Sequence, residues 1–378
     1  MKITGVQVLE FRRRLDGRSW NPTFRWTERR APLLVIETDA GAVGVGEAWS
    51  RQPLIERVLD DLADRCAPAL LGCDPSSLAP VVAALAVRGA DWVGAASASA
   101  IDIAAWDLAA QAKGEPLWRA LGGTSGRVRV YASGGLYRDA ATLDDLAHEF
   151  ADYARRGFGM MKMKVGGLAL DADIARVRAV RSAIGDATLW VDAVNQLTPS
   201  TAPQWCQALA RFDVAAIQAP LAFDDAAGMA RINQWLMPVV ATEAEHRETA
   251  FRALLDANAV TYLQYCLGLC GGFTGAARLD EAASQHRLRT TPQCFSTAVM
   301  QAATLHFGAA RDNVVAAEYH RFHDHLAGYL PSAMRTVESG FVDLDDAPGL
   351  GVCAPALGVQ PCGGEILLHR HVTVKHPG

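Results

Sequence analysis

The sequence predicts an α/β protein, a (β/α) barrel over residues 127–351 preceded by a small α+β domain over residues 1–126. Three observations predict it. From Val128 onward, short apolar segments alternate with helix-like stretches, and eight such segments follow one another. A polar residue closes most of them at a steady spacing. The first third of the chain has a different rhythm, two strand-like segments and then three helices.

In order, residues 2–10 and 33–48 read as antiparallel strands, with Asp39-Ala40-Gly41 as a hairpin turn. Helices are expected near 52–70, 75–88 and 95–113, the last beginning beyond Gly94 and ending at Gly114-Glu115-Pro116. The eight segments are RVRVYAS, GMMKMKV, TLWVDA, AAIQAP, MPVVATE, VTYLQYC, LRTTPQC and NVVAAEYH. Lys164, Asp192, Gln218, Glu243, Cys266, Gln293 and Glu318 close seven of them, at intervals of 28, 26, 25, 23, 27 and 25 residues. About 25 residues is one βα unit, and eight units close into a barrel whose function sits where the strands end. Gly41, Gly44 and Gly46 fall inside a hairpin, not between a strand and a helix, which argues against a dinucleotide-binding fold.

Composition excludes several classes of function. The 378 residues are 50% hydrophobic and 20% charged, with net charge -5 and no run of like charges longer than Arg12-Arg13-Arg14. No basic stripe is present to neutralise phosphates, so nucleic acid is not an expected partner. No apolar stretch is long enough to span a bilayer, and the start of the chain lacks the continuous apolar segment of a signal peptide. A cytoplasmic location is expected. The eight cysteines are scattered along the chain, and reduced thiols are the default reading.

The chemistry concentrates at the strand ends. Lys162 and Lys164 are two apart on a strand and face the same way. Two lysines on a buried strand are costly unless a cavity receives them; the competing reading is a pair of snorkelling surface side chains. Adjacent ammonium groups lower one another's pKa, and a lysine so depressed serves as a general base. Asp192, Gln218 and Glu243 end successive strands, and hard oxygen ligands in one sector of a rim suit Mg2+. Taken singly, each is equally a helix cap or a loop hydrogen bond.

These residues resemble a known family. The segment ASASAIDIAAWDLAAQAKGEPLWRALGG (96–123), the KMK and VDA motifs, the run from Pro238 to Glu243, LQYCLGLCGGFT (263–274) and PGLGV (348–352) resemble the mandelate racemase and muconate lactonizing enzymes of the enolase superfamily. The resemblance covers essentially the whole chain. It implies a barrel of the modified TIM type, with the C-terminal tail, about 352–378, completing the capping domain. It implies a magnesium ion that binds a substrate carboxylate, a base that removes the proton α to it, and a homo-oligomer. Carried over by position, Lys164 is the base, Lys162 helps hold the carboxylate, Asp192 and Glu243 are metal ligands, and Glu318 helps hold substrate.

The departures from the pattern are specific. Gln218, followed by Ala219-Pro220, stands where a ligand glutamate is expected; it keeps a carbonyl oxygen but loses a negative charge. An asparagine expected two after Asp192 is displaced to Asn195. Where racemases carry a catalytic aspartate and histidine, this chain has Cys266 and Gln293, so a second base is missing. Cys266 is either a weak acid or core packing, and its near-zinc spacing to Cys270 lacks a second pair. His246, three beyond Glu243, is the nearby titrating residue that could replace the lost histidine. Glu318-Tyr319-His320, with His323 and His325, looks like a metal cluster, but the resemblance leaves the later histidines in a loop. The segment RSWNPTFRWTERR (18–30) lies where relatives carry a loop over the substrate, and its Trp20, Phe24, Arg25 and Trp26 are expected to set specificity. Two functions remain open: a magnesium-dependent dehydratase, or a racemase or cycloisomerase of the same kind, acting on a sugar-derived carboxylate; and a degenerate relative that binds an acid without turning it over.

Overall fold

A computed structural model describes residues 1–88, 91–242, 244–322, 330–352 and 367–375. Sixteen strands are named in chain order: β1 (Ile3–Arg14), β2 (Ser19–Asn21), β3 (Phe24–Arg25), β4 (Glu28–Thr38), β5 (Val43–Glu47), β6 (Arg127–Gly134), β7 (Tyr137–Arg138), β8 (Met160–Lys164), β9 (Thr188–Asp192), β10 (Val214–Gln218), β11 (Val239–Ala241), β12 (Tyr262–Cys266), β13 (Arg289–Gln293), β14 (Ala317–His320), β15 (Phe341–Asp343) and β16 (Leu367–Lys375).

The eight apolar segments are the barrel. Their strands pair in parallel in the order β13-β12-β11-β10-β9-β8-β6-β14. A bridge between Thr290 and Val314, with Val315 N donating to Thr290 O at 2.9 Å, draws the two ends of the order together. Inward alternation fills the lower barrel with Tyr131, Met160, Trp190, Ala216, Val240 and Ala316, all buried. Continuing the same alternation upward places Lys162, Lys164, Asp192 and Gln218 at the rim. A regular strand period thus turns an apolar floor into a polar mouth.

The N-terminal sheet is antiparallel, in the order β16-β1-β4-β5, so the C-terminal strand joins its edge. The helix Trp92–Lys113 lies across it. That helix begins earlier than expected, because the Asp91 side chain accepts from Gly94 N and caps it. It ends where expected, at Gly114, whose φ of 67° suits a left-handed cap. Gly46 is explained by this packing: a Cβ there would stand 1.9 Å from the Ala100 carbonyl oxygen. Asp102 and Asp107 fasten the same helix. Asp102 accepts from Thr274 Oγ1 at 2.6 Å, and Asp107 accepts from Val45 N and Leu350 N at 3.0 and 2.8 Å. Burial among these neutral donors pushes both acids up to about 6. Among the described residues, no helix is long and apolar enough to cross a membrane.

Candidate active site

The rim opens into a cavity of about 450 Å³ between the barrel mouth and the N-terminal sheet. Lys162 and Lys164 both reach it from β8. Lys162 is almost fully buried; its Nζ donates to Gln218 Oε1 at 2.7 Å and pairs with Glu318 Oε1 at 2.8 Å. Lys164 is slightly more open and pairs with Asp192 Oδ2 at 2.5 Å. Strand register explains the meeting, because Lys164 lies beside Asp192 and Asp192 beside Gln218 on neighbouring strands. Burial alone would raise the Asp192 pKa, but the ammonium groups of Lys164 and Lys162 outweigh it and hold the carboxyl below its ordinary value.

The turn after Asp192 is backbone under strain. Val194 and Asn195 have φ of 50° and 59°, and Ala219 in the neighbouring turn has 43°. A β-branched residue in the left-handed region is a rare and costly conformation. It is held by Val194 N donating to Asp192 Oδ1 at 2.9 Å and by Asn195 N donating to Ala219 O at 2.7 Å. Val194, Asn195 and Ala219 all line the cavity, so the strained turns wrap the Asp192 and Gln218 strand ends.

The donors present fit magnesium in kind. Asp192 and Gln218 are buried oxygen donors at the ends of adjacent strands, the hard ligands this ion prefers. They are one negative charge short of a pair of carboxylates. Glu243, the expected third ligand, lies outside the described residues, as do His323 and His325.

Other expected residues fall in different places. Gln293 lines the cavity, is buried, and among the described residues its Oε1 has no hydrogen-bond partner. Glu318 lines it too and also accepts from Cys294 N at 3.1 Å. Cys266 does not line it: the residue is fully buried in the core, and burial drives its thiol pKa well up, which favours the packing reading. His246 is not on the cavity wall either. It sits beside Glu245, Nδ1 to Oε1 3.4 Å, with its ring edge-on to Trp92, which is on the wall.

The hairpin β2–β3 corrects the loop expectation by half. Trp20 pairs with Arg25 across it and Asn21 with Phe24, and cross-strand partners share a face. Asn21 and Phe24 face the cavity, joined by Trp26. Trp20 and Arg25 face the other way. Trp20 stacks on Tyr137 at 4.4 Å, and Arg25 pairs with Asp139 at 2.5 Å.

His320 and Arg29 are among the cavity residues that sequence reasoning did not single out for this site. His320 is two beyond Glu318, so strand alternation could have placed it inward. Its Nδ1 accepts from Phe322 N at 3.1 Å, which leaves the ring proton on Nε2. Burial first, then the charges of Lys164 and Lys162, hold its pKa well below the usual histidine value. Arg29 comes from β4 in the N-terminal sheet, and no barrel period points to it.

Residues 23–122 match the mandelate racemase / muconate lactonizing enzyme N-terminal domain, and residues 145–354 match the enolase C-terminal domain-like family. The chain belongs to this branch of the enolase superfamily. It is 30% identical to the D-galactarolactone cycloisomerase of Agrobacterium fabrum, over 93% of this chain and 96% of that one. It is 26% identical to the arabinonate dehydratase of Saccharolobus solfataricus, over 84% and 86%. Among crystal structures, L-talarate dehydratase from Polaromonas sp. JS666, complexed with Mg and L-glucarate, superposes with a TM-score of 0.84 at 25% identity, covering 99% of both chains. A racemase from Streptomyces coelicolor with bound magnesium gives 0.84 at 27%, covering 93% and 97%.

Proposed function

We propose that this protein is a magnesium-dependent lyase that removes the proton α to the carboxylate of a sugar-derived hydroxy acid and expels a β-hydroxyl. The observation that carries the reading is Lys164, a lysine on the cavity wall whose ion-pair partner is Asp192, an expected ligand of the metal. Asp192, Gln218 and Glu243 would hold magnesium, which would supply positive charge to the substrate carboxylate and weaken the hold of Asp192 on Lys164. An ammonium that loses its carboxylate partner gives up its proton more readily.

The chain's own residues do the rest. Lys162, fixed between Gln218 and Glu318, presents its charge where negative charge develops on the carboxylate as the α-proton leaves. Lys164 Nζ takes that proton, and the C–H electron pair moves into the carboxylate to give an enediolate. That pair then forms the Cα–Cβ double bond as the β-hydroxyl departs, and the resulting enol becomes a 2-keto acid. The departing oxygen needs a proton, and the one Lys164 has gained is at hand, because burial and the two lysines keep His320 neutral.

A cycloisomerase reading shares the first step. It is favoured by the 30% identity to a lactone cycloisomerase, and differs in expelling a ring oxygen instead of a hydroxyl. A screen of acid sugars and their lactones with magnesium, following substrate loss, product and α-proton exchange in deuterated water, tests both. A 2-keto acid with exchange supports the lyase. No exchange with any acid in the panel overturns the proposal. Homo-oligomeric assembly belongs to the same reading, and light scattering that reports a monomer at micromolar concentration counts against it.

A further inference from the structure

Three arginines reach the cavity wall, Arg29, Arg30 and Arg51, and their charges are met in different ways. Arg30 pairs with Glu10 and with Glu56. Arg51 is exposed and lies over the Trp92 ring at 4.3 Å, so water screens it and nothing demands an anion. Arg29 differs from both. It is half-buried, and among the described residues it has no carboxylate within ion-pair distance. Its Nη2 donates to the Phe295 carbonyl at 2.9 Å, and the guanidinium lies over the Phe295 ring at 4.3 Å.

Neither contact supplies negative charge. Glu47, the carboxylate whose field Arg29 feels, is fully buried and already accepts from Thr297 Oγ1, Thr297 N and Met300 N. Burial consequently pulls the Arg29 pKa down to about 10, the mark of a cation short of counter-charge. A desolvated guanidinium with open donors is built for a bidentate carboxylate.

We infer that Arg29 receives a second carboxylate of the substrate, so that the cavity takes a hydroxy diacid with its reacting end at Lys162 and Lys164 and its far end at Arg29. This rests on the lysines holding the reacting carboxylate, as proposed above. His320 links the two ends: it feels the fields of Lys164, Lys162 and Arg29, and its ring lies 4.2 Å from the Phe295 ring that carries Arg29. Gln293, two residues before Phe295, offers an unpartnered Oε1 to a hydroxyl of the intervening chain. A monoacid of equal length ends in a hydroxymethyl group, which leaves the guanidinium desolvated and unpaired. Sites built for a polar group reject analogues that lack it.

Calorimetry with magnesium present tests this, using galactarate, glucarate and mannarate against galactonate, gluconate and mannonate. The tightest diacid is expected to bind at least about tenfold more tightly than the tightest monoacid. Arg29→Gln should erase that preference by weakening diacid binding, and Arg29→Lys should recover part of it. Thermal melting checks that the variants fold, and the native comparison stands without them. Equal binding of both classes by the native protein, or an equal loss of both in Arg29→Gln, overturns the inference. Diacid binding that depends on Arg29 without α-proton exchange would keep the inference and defeat the lyase reading. Exchange of a monoacid that binds the native protein as tightly as the tightest diacid would do the reverse.

Discussion

On the side of the rim built from β8, β9, β10 and β14, buried charges meet: Lys162 with Glu318 and the Gln218 amide, Lys164 with Asp192. Strand order puts β12 across the barrel from β8, and there the strand end carries Cys266, buried and held as a thiol, with Gln293 beside it on β13. One side gathers the charged groups proposed to move a proton and hold a cation; the other offers a thiol and a neutral amide. The contrast teaches that eight similar βα units can carry a one-sided set of charges, because a few strand-end residues differ while the fold repeats.

The largest test of that asymmetry removes its base. Lys164→Ala should lower turnover about 10²- to 10⁴-fold, the usual worth of a positioned general base, measured on an acid found by the screen. Lys162→Met leaves Glu318 buried without its ammonium partner. It should cost on the order of 3 kcal/mol in denaturant unfolding, whereas Cys266→Ala across the barrel should cost less and leave turnover within a few-fold.

Much of this contrast is legible in the sequence, for a physical reason. Strand alternation and the βα period are local properties, so Lys162, Lys164, Asp192, Gln218, Gln293 and Glu318 could be placed at the rim from spacing. Cys266 obeyed the same period but lies in the core, because strand position fixes direction and not depth. Trp20 and Arg25 were misplaced because nothing in RSWNPTFRWTERR says which face of the β2–β3 hairpin turns inward; the contact with Tyr137 and Asp139, more than a hundred residues away, decides it. Arg29 was missed since its proposed role rests on the lack of a carboxylate partner among the described residues, which only three-dimensional packing reveals.

A smaller effect sharpens the charge count. Gln218→Glu should tighten magnesium binding by about tenfold, since it adds a negative oxygen donor beside Asp192. Calorimetry finding no binding in either protein would refute the donor assignment.

The smallest effect contrasts buried acids in which a cation or burial prevails. Asp192, beside two ammonium groups, is held low, while burial pushes Asp102 and Asp107 up to about 6. Their folded values lie above the unfolded carboxylate value of about 3.9, so the folded state binds more protons between the two. Their stabilisation is fully present below about pH 4 and is lost as pH rises through 6. Melting temperature should therefore rise by about 2 °C or more from pH 7.5 to pH 5, and Asp102→Asn should flatten that slope.

The central claim is that a single base on the β8 side does the chemistry. It is tested most directly by proton NMR of α-proton exchange in deuterated water, run in parallel on the two α-epimers of an acid that the enzyme turns over. One epimer should exchange and the other should not, and Lys164→Ala should abolish the exchange that is seen. Wash-out of both epimers at similar rates, or exchange that survives Lys164→Ala, would contradict the account.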